Sequence, residues 1–191
     1  IACDFISQDA YIYTNSETEL SKLEQEMKAY EQLGIPGDLT ETMPLDIPFK
    51  QALKMKNQAQ FHPLKYLKVL MDEAINLGLD IYEDTTAMDI EYTKHPVIIT
   101  RDGLRVTCRY IIQASHYPFY DGQGFYPTRL EPERAYIIAA KSKQAYPGGM
   151  YINAETPTRS IRYTTVNDEE LWIIAGENHK TGQGENMMQH Y

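Results

Sequence analysis

Apolar positions along the chain change their spacing several times, and each change marks an element. Leu20, Leu23, Met27 and Tyr30 recur at helical spacing after Ser16, Glu19 completes a capping box with that serine, and Gly34 follows the last of them. This predicts a helix from Ser16 to Gly34. A second helix is predicted between His62-Pro63 and Gly78. Proline at the first helical position loses no hydrogen bond, and Leu64, Leu67, Met71 and Ala74 form an inward face. Residues 3–5 and 9–14 read as two short strands, 35–50 (with prolines at 36, 44 and 48) as a loop, and 52–60 as a strand leading to the second helix.

The second half reads mostly as strands. Short apolar runs at 79–82, 85–92 and 96–100 come first, then the turn Arg101-Asp102-Gly103, then 104–110 leading into a strand at 111–115. Residues 117–127, rich in Pro, Gly and Tyr, mark a crossover. Runs at 133–141, 149–154, 159–166 and 170–176 carry turn signals at short spacing, which predicts an antiparallel sheet. Asp168-Glu169-Glu170 reads as a solvated hairpin tip, 177–184 as a loop ahead of a glycine-rich turn, and the end of the chain as a helical run. That loop is not a phosphate-binding P-loop, because its lysine precedes the glycines.

Composition narrows the function. A length of 191 residues fits one domain or two small lobes, and 42% hydrophobic residues suffice for a core. Fifteen tyrosines suit half-buried sheets and pockets that need a polar tip on an apolar ring. A net charge of −9 argues against nucleic-acid binding and against an anionic membrane surface. No apolar run approaches ~18 residues, so no transmembrane helix is expected. Cys3 and Cys108 are far apart with no CxxC partner, so they read as plain thiols; no metal site is expected, and a cytoplasmic setting is the default.

The order helix, hairpin, strand resembles the middle of the FAD-dependent amino acid oxidase type of flavoprotein, the D-amino acid and glycine oxidase-like superfamily. Gln60-Phe61-His62-Pro63 matches the family's return point into the FAD domain, where a proline starts a long helix. Thr86-Ala87-Met88-Asp89-Ile90 looks like the next strand, whose backbone faces the adenine end of FAD. Ile111-Ile112-Gln113-Ala114-Ser115-His116 looks like the strand that ends in an Ala-Thr-Gly type turn, with Ser115 and His116 replacing the usual Thr and Gly. The resemblance implies an α+β fold: an antiparallel or mixed substrate-domain sheet flanked by helices, plus a partial FAD-domain module of one helix and about four strands. It implies substrate-domain segments at 1–60 and 117–191 and the FAD module at 61–116. No G-x-G-x-x-G follows a strand, the chain begins with Ile1 rather than Met, and it stops at Tyr191 in the helical run, so the expectation is an internal piece of a larger oxidoreductase. The missing N-terminal FAD-binding half would be a partner, and a Rieske-type iron–sulfur domain elsewhere in the parent is a further one.

The chemistry implied is oxidation of the C–N bond of an amino acid or secondary amine by FAD, with the protein supplying position and electrostatics. Ala87, Met88, Ala114, Ser115 and His116 are the candidate cofactor contacts. A carboxylate substrate wants a guanidinium fork, for which Arg159 and Arg162 are the candidates. Strand alternation puts them on opposite faces, so only one is expected in a pocket, and Arg162, beside Tyr163, is favoured. Tyr151 and Tyr163 are candidates for an amine pocket, with sheet packing as the plainer reading. His179 and Lys180, on the expected loop, could sit over the flavin or be ordinary surface residues. No residue is singled out as catalytic. Two other readings stay open: a non-catalytic binding domain with a flavoprotein-like sheet, and an FAD-dependent hydroxylase-like enzyme. A dinucleotide motif upstream, with an acidic residue ~20 positions later, would favour an enzyme.

Overall fold

The computed structural model describes residues 1–121 and 124–182. The helical run expected at the end of the chain lies outside the described residues. The chain divides into two compact units, one made of Ile1–Met71 and the chain from Glu133 on, the other of Asp72–Pro132.

The first unit is a seven-stranded mixed sheet. In chain order its strands are β1 (Ile6–Thr14), β2 (Gly37–Thr40) and β3 (Gln51–Gln60), with α1 (Leu20–Leu33) between β1 and β2 and α2 (Pro63–Asn76) after β3. The second unit contributes β4 (Ala87–Glu91), β5 (Val97–Thr100) and β6 (Arg105–Thr107). The first unit then resumes with β7 (Glu133–Ala140), β8 (Met150–Asn153), β9 (Ser160–Val166) and β10 (Glu169–Lys180). The large sheet runs β2-β3-β1-β8-β9-β10-β7; β1 and β8 pair parallel, and its other pairs are antiparallel.

Side-chain alternation gives the sheet two apolar faces. On one face α1 lays Leu23 and Tyr30 against Leu53, with Ile12, Met27, Leu39 and Met55 around them. Leu53 is 1% exposed, a burial that stabilises by roughly 1.5–3 kcal/mol. On the other face Tyr11, Tyr151, Tyr146 and Ala52 pack with Leu45, from the segment after β2, and with Tyr163 and Trp172. Thr14, fully buried, donates from Oγ1 to Glu155 Oε1 at 2.7 Å, and the Asn15 N–H donates to the same oxygen at 2.7 Å. These bonds tie the end of β1 to the segment after β8.

Several expectations are corrected. Of the first two expected strands, the one at 3–5 does not form and the one at 9–14 starts earlier, at Ile6, as β1; Cys3 lies outside it and is buried. The capping box does not form: the Ser16 hydroxyl bonds the Thr18 hydroxyl at 2.8 Å, and a 3₁₀ turn over Glu17–Glu19 precedes α1. Gly34, in the left-handed conformation, closes α1 through its N–H to Tyr30 O, as expected. The segment read as one loop contains β2, a four-residue edge strand between prolines that pairs with β3. Residues 79–82 and 111–115 are not strands. Their apolar runs pair with no described strand, and a strand needs a ladder partner. Helix α2 forms as predicted, but Leu64, Leu67 and Met71 are 72%, 53% and 48% exposed and no α2 residue is buried. The periodicity made the face apolar; no described element covers it.

The acidic run is only partly a solvated tip. Asn167 and Asp168, both at positive φ, form the two-residue turn between β9 and β10. Glu170 is drawn inward, where its Oε1 accepts the Tyr146 N–H at 2.5 Å. No helix among the described residues is long and apolar enough to cross a membrane.

Candidate functional site

The strand β8 is only four residues long. It joins β1 to β9 along part of their length and leaves a gap beyond its start, where the first residues of β1 lie near the last residues of β9. Gln60 spans this gap, its Nε2 donating to Tyr163 O at 3.2 Å. Around the gap lies a cavity of about 280 Å³ lined by Asp4, Ile6, Gln60 to Leu64, Ile137, Arg162 to Thr165 and Ile173. Its wall is mostly apolar. Asp4 is engaged with Lys65 at 2.6 Å, and His62 caps α2, with Nδ1 accepting the Lys65 N–H at 3.4 Å and its carbonyl accepting from Tyr66 N–H at 3.1 Å. Arg162 makes no hydrogen bond or ion pair to any described residue, so its guanidinium fork is open to a ligand. It shares its sheet face with Ser160, Thr164 and the cross-strand Ile173.

The opposite face carries a second, smaller cavity of about 160 Å³, lined by Tyr136, Ile138, Arg159, Ile174, Ala175, Gly176 and Glu177. Here β10 has a bulge: its register with β7 shifts between Gly176 and His179, and Glu177 sits at φ +55°. A non-glycine residue held left-handed is strained, and bulges re-aim side chains. Glu177 is aimed at Arg159 and forms an ion pair with it. His179 Nδ1 lies 3.0 Å from Glu177 O, and its ring stacks on Tyr136 at 5.3 Å.

The structure therefore places the predicted residues in several settings. Arg162 and Tyr163 meet at the larger cavity. Arg159 lines the smaller one, while His179 does not line it and only stacks on Tyr136 of its wall, so both arginines line a pocket, contrary to the expectation of one. His179 and Lys180 are not on a loop: the bulge lets β10 continue, and they pair with Arg134 and Glu133 of β7. Tyr151 lines neither cavity. It is 2% exposed, stacks on Tyr11 at 5.2 Å and donates to Gly148 O at 2.5 Å. Burial, with nearby Tyr11 adding to it, pushes its hydroxyl pKa well above the ordinary tyrosine value. Burial also pushes the Tyr146 hydroxyl up, with Tyr151, Tyr163 and Glu170 adding to it, and that hydroxyl donates to Gly149 O and Ile161 O. The rings are structural and un-ionised. Sequence reasoning missed Gln60, Glu177 and Tyr136 as site residues. The signal for Gln60 was an amide at the end of an otherwise core-forming strand; for Glu177 there was none, since a bulge leaves no periodic trace.

The candidate cofactor residues lie in the second unit. The three-stranded sheet runs β4-β5-β6, so β4 has one edge without a partner among the described residues. Its register with β5 shifts between Ala87 and Asp89, leaving Met88 outside the ladder, half exposed. A free backbone edge with an unladdered residue suits the hydrogen-bonding edge of an adenine. Ala114, Ser115 and His116 are exposed in irregular backbone rather than at a strand end, which corrects the strand expectation; their access to a ligand is unhindered. The edge at Ala87 and Met88 has the chemistry to meet an adenine, and the 191 residues contain no G-x-G-x-x-G helix start that would hold a pyrophosphate. No cluster of His, Cys, Asp and Glu among the described residues could hold a metal.

Comparison with known proteins agrees with this architecture. A protein of Bacillus subtilis (strain 168) named as a Rieske 2Fe-2S iron–sulfur protein, YhfW, is 46% identical over 191 residues, all of this chain and 38% of that protein. Glycine oxidase from Bacillus cereus ATCC 14579 superposes with a TM-score of 0.73 at 17% identity, covering 98% of this chain and 54% of that one. L-proline dehydrogenase from P. horikoshii gives 0.71 at 15% identity, with 96% and 52% covered. L-amino acid deaminase from Proteus vulgaris gives 0.60 at 15%, with 88% and 42% covered. The chain thus spans about two fifths to one half of the length of these proteins, and the last three likenesses establish the fold. The FAD dependent oxidoreductase family matches residues 1–189. The chain belongs to this FAD-dependent oxidoreductase family.

Proposed function

We propose that this chain supplies the substrate sheet and part of the FAD-binding module of a longer enzyme that oxidises the C–N bond of an amino acid or secondary amine. The observation that carries the reading is the open Arg162 guanidinium in an apolar cavity of about 280 Å³. A planar fork on an apolar wall selects a carboxylate attached to a nonpolar body. The names of the solved relatives, a glycine oxidase, a proline dehydrogenase and an amino acid deaminase, point to the same substrate class.

In this reading segments 1–60 and 117–191 form the substrate domain and 61–116 the FAD module. FAD, when bound, supplies the two-electron acceptor. Ala87 and Met88 would hold its adenine end, with Ala114, Ser115 and His116 close by. Arg162 holds the substrate carboxylate, Tyr163 braces the strand that carries it, and Ile6, Ile137 and Ile173 exclude water from the substrate body. On the opposite face Arg159, His179 and Lys180 remain candidate contacts, Tyr151 supports the sheet from the core, and the strained Glu177 bulge fixes the position of Arg159. The dinucleotide motif would come from another part of the longer enzyme. The Rieske name of the Bacillus subtilis relative favours an iron–sulfur domain elsewhere in the parent as electron partner. Cys3 and Cys108, both free, fit a reducing, cytoplasmic setting.

The test is anaerobic mixing of the purified longer protein with a panel of amino acids and secondary amines, followed by flavin absorbance. Bleaching by at least one of them is expected. Bleaching by none, with the flavin reducible by dithionite, would refute the reading.

A further inference from the structure

The large sheet ends in two unlike edges. At one edge β2 is four residues long and follows Pro36, and its Asp38 is ion-paired with Lys56. At the other edge β7 runs for eight residues, and no strand pairs with its outer side among the described residues. Ile137 and Ile138, at its centre, are 62% and 41% exposed, one on each face. A long apolar edge offers a row of backbone donors and acceptors to another strand, and proteins commonly blunt it with a proline, a bulge or a central charge. Strand β7 has no proline, the bulge beside it lies on β10, and its charges stand at its ends.

We infer that β7 pairs antiparallel with the β7 of a second copy of this chain, across a twofold axis at Ile137. The sequence from Glu133 to Lys141, ERAYIIAAK, is complementary to itself in that register. On one face the twofold sets Glu133 opposite the partner's Lys141, Ala135 opposite the partner's Ala139, and Ile137 opposite its own counterpart. On the other face Tyr136 falls opposite the partner's Ile138 and Arg134 opposite the partner's Ala140. Opposite charges and aromatic–β-branched pairs stabilise a ladder when directly across from each other, and like charges destabilise it. Every charge of this stretch therefore meets an opposite charge or a small side chain. A slip by one residue would turn the apolar set to the wrong face and put Arg134 opposite the partner's Lys141. Within its own chain Lys141 makes an exposed ion pair with Glu169 at 2.5 Å, a contact weak enough to be shared with the partner's Glu133. The pairing would double the seven-stranded sheet and bring the partner's Ile137 against Ile137 at the wall of the larger cavity. Apolar surface that faces water in one copy is then covered in two.

The experiment uses the longer protein, whose mass is measured by light scattering on a size-exclusion column over a range of concentrations. The wild type is expected to be a dimer or an assembly of dimers. Glu133→Lys and Lys141→Glu each turn both opposite-charge pairs into like-charge pairs, and each should raise the dimer dissociation constant roughly tenfold to a hundredfold. The two variants mixed in equal amounts should recover wild-type association, because both pairs of the mixed dimer are again opposite in sign. Positions 133 and 141 stand about 27 Å apart along one strand, so they cannot compensate within a chain, and the recovery reports a contact between copies. Ile137→Lys, which sets two like charges at the axis, is a second route to the same loss, and folding of every variant is checked by circular dichroism. Asp38→Lys, an equal change of charge at the β2 edge, should leave association as in the wild type. A wild type that stays monomeric at every concentration, single variants that associate like the wild type, a mixture that stays dissociated, or an equal loss with Asp38→Lys would each overturn the pairing.

Discussion

Gly149 sits where the tyrosine core leaves no room, and substituting it gives a sharp test of that core. It adopts φ +83°, and a Cβ there would lie 2.7 Å from the Tyr151 Oη, 2.9 Å from its Cζ and 3.1 Å from Tyr11 Cε2. Its neighbour Gly148 adopts φ +84° with nothing within 4 Å of such a Cβ. Both alanine variants therefore incur backbone strain of roughly 1–2 kcal/mol. Only Gly149→Ala adds overpacking, roughly 1–3 kcal/mol more, because Tyr151 is stacked on Tyr11 and cannot move aside. Urea unfolding of the two variants, followed by Trp172 fluorescence, measures the difference. Trp172 is the sole tryptophan and packs edge-on against Tyr146 at 5.0 Å, so it reports on this cluster. With a urea slope of about 2 kcal/mol/M, the Gly149→Ala midpoint should lie about 0.5–1.5 M below that of Gly148→Ala. Coincident midpoints would refute the packing of Tyr11, Tyr151 and Gly149 described here.

Three further outcomes follow from the structure. Leu53→Ala, at the centre of the α1 face, should cost roughly 2–5 kcal/mol in the same unfolding assay. Burial pushes the Glu155 carboxyl up, but donors from Thr14 and the backbone outweigh it and hold the group below its ordinary 4.5. Its contribution is therefore fully present above 4.5 and lost as pH falls through the lower folded value, so the wild type should lose its advantage over Glu155→Gln across that acid window, as read by melting temperature against pH. The 191-residue chain alone should be colourless and hold added FAD weakly, because it lacks the glycine-rich helix start for the pyrophosphate; a yellow preparation with one flavin per chain would contradict this.

What the sequence showed and what it hid follow from the range of the forces involved. Helices α1 and α2 were legible because Leu23, Tyr30, Leu64 and Met71 repeat at local spacing. The β9–β10 hairpin was legible because apolar runs flank turn-prone Asn167-Asp168. The strand expected at 111–115 was a true apolar run, but pairing is a tertiary property that the run cannot report. The extension of β10 to Lys180 was hidden because Glu177 breaks the alternation at a bulge and made His179 and Lys180 look like loop residues. The two-faced placement of Arg159 and Arg162 was legible from alternation alone. That each faces a cavity was not, because one cavity exists only where the shortness of β8 opens the sheet and the other only where the bulge re-aims Glu177.

The most direct test of the account compares Arg162→Ala with Arg159→Ala in the longer enzyme, once a carboxylate substrate is identified by flavin bleaching. Arg162 has no partner among the described residues at the larger cavity, and losing its charge-assisted contact to a substrate should cost roughly 1.5–3 kcal/mol, raising KM about 10- to 150-fold with kcat little changed. Arg159 is half exposed and already paired with Glu177, so its loss should change KM by far less. A large rise for Arg162→Ala and a small one for Arg159→Ala is the predicted result; equal small effects, or the reverse order, would contradict the assignment of Arg162 as the carboxylate anchor.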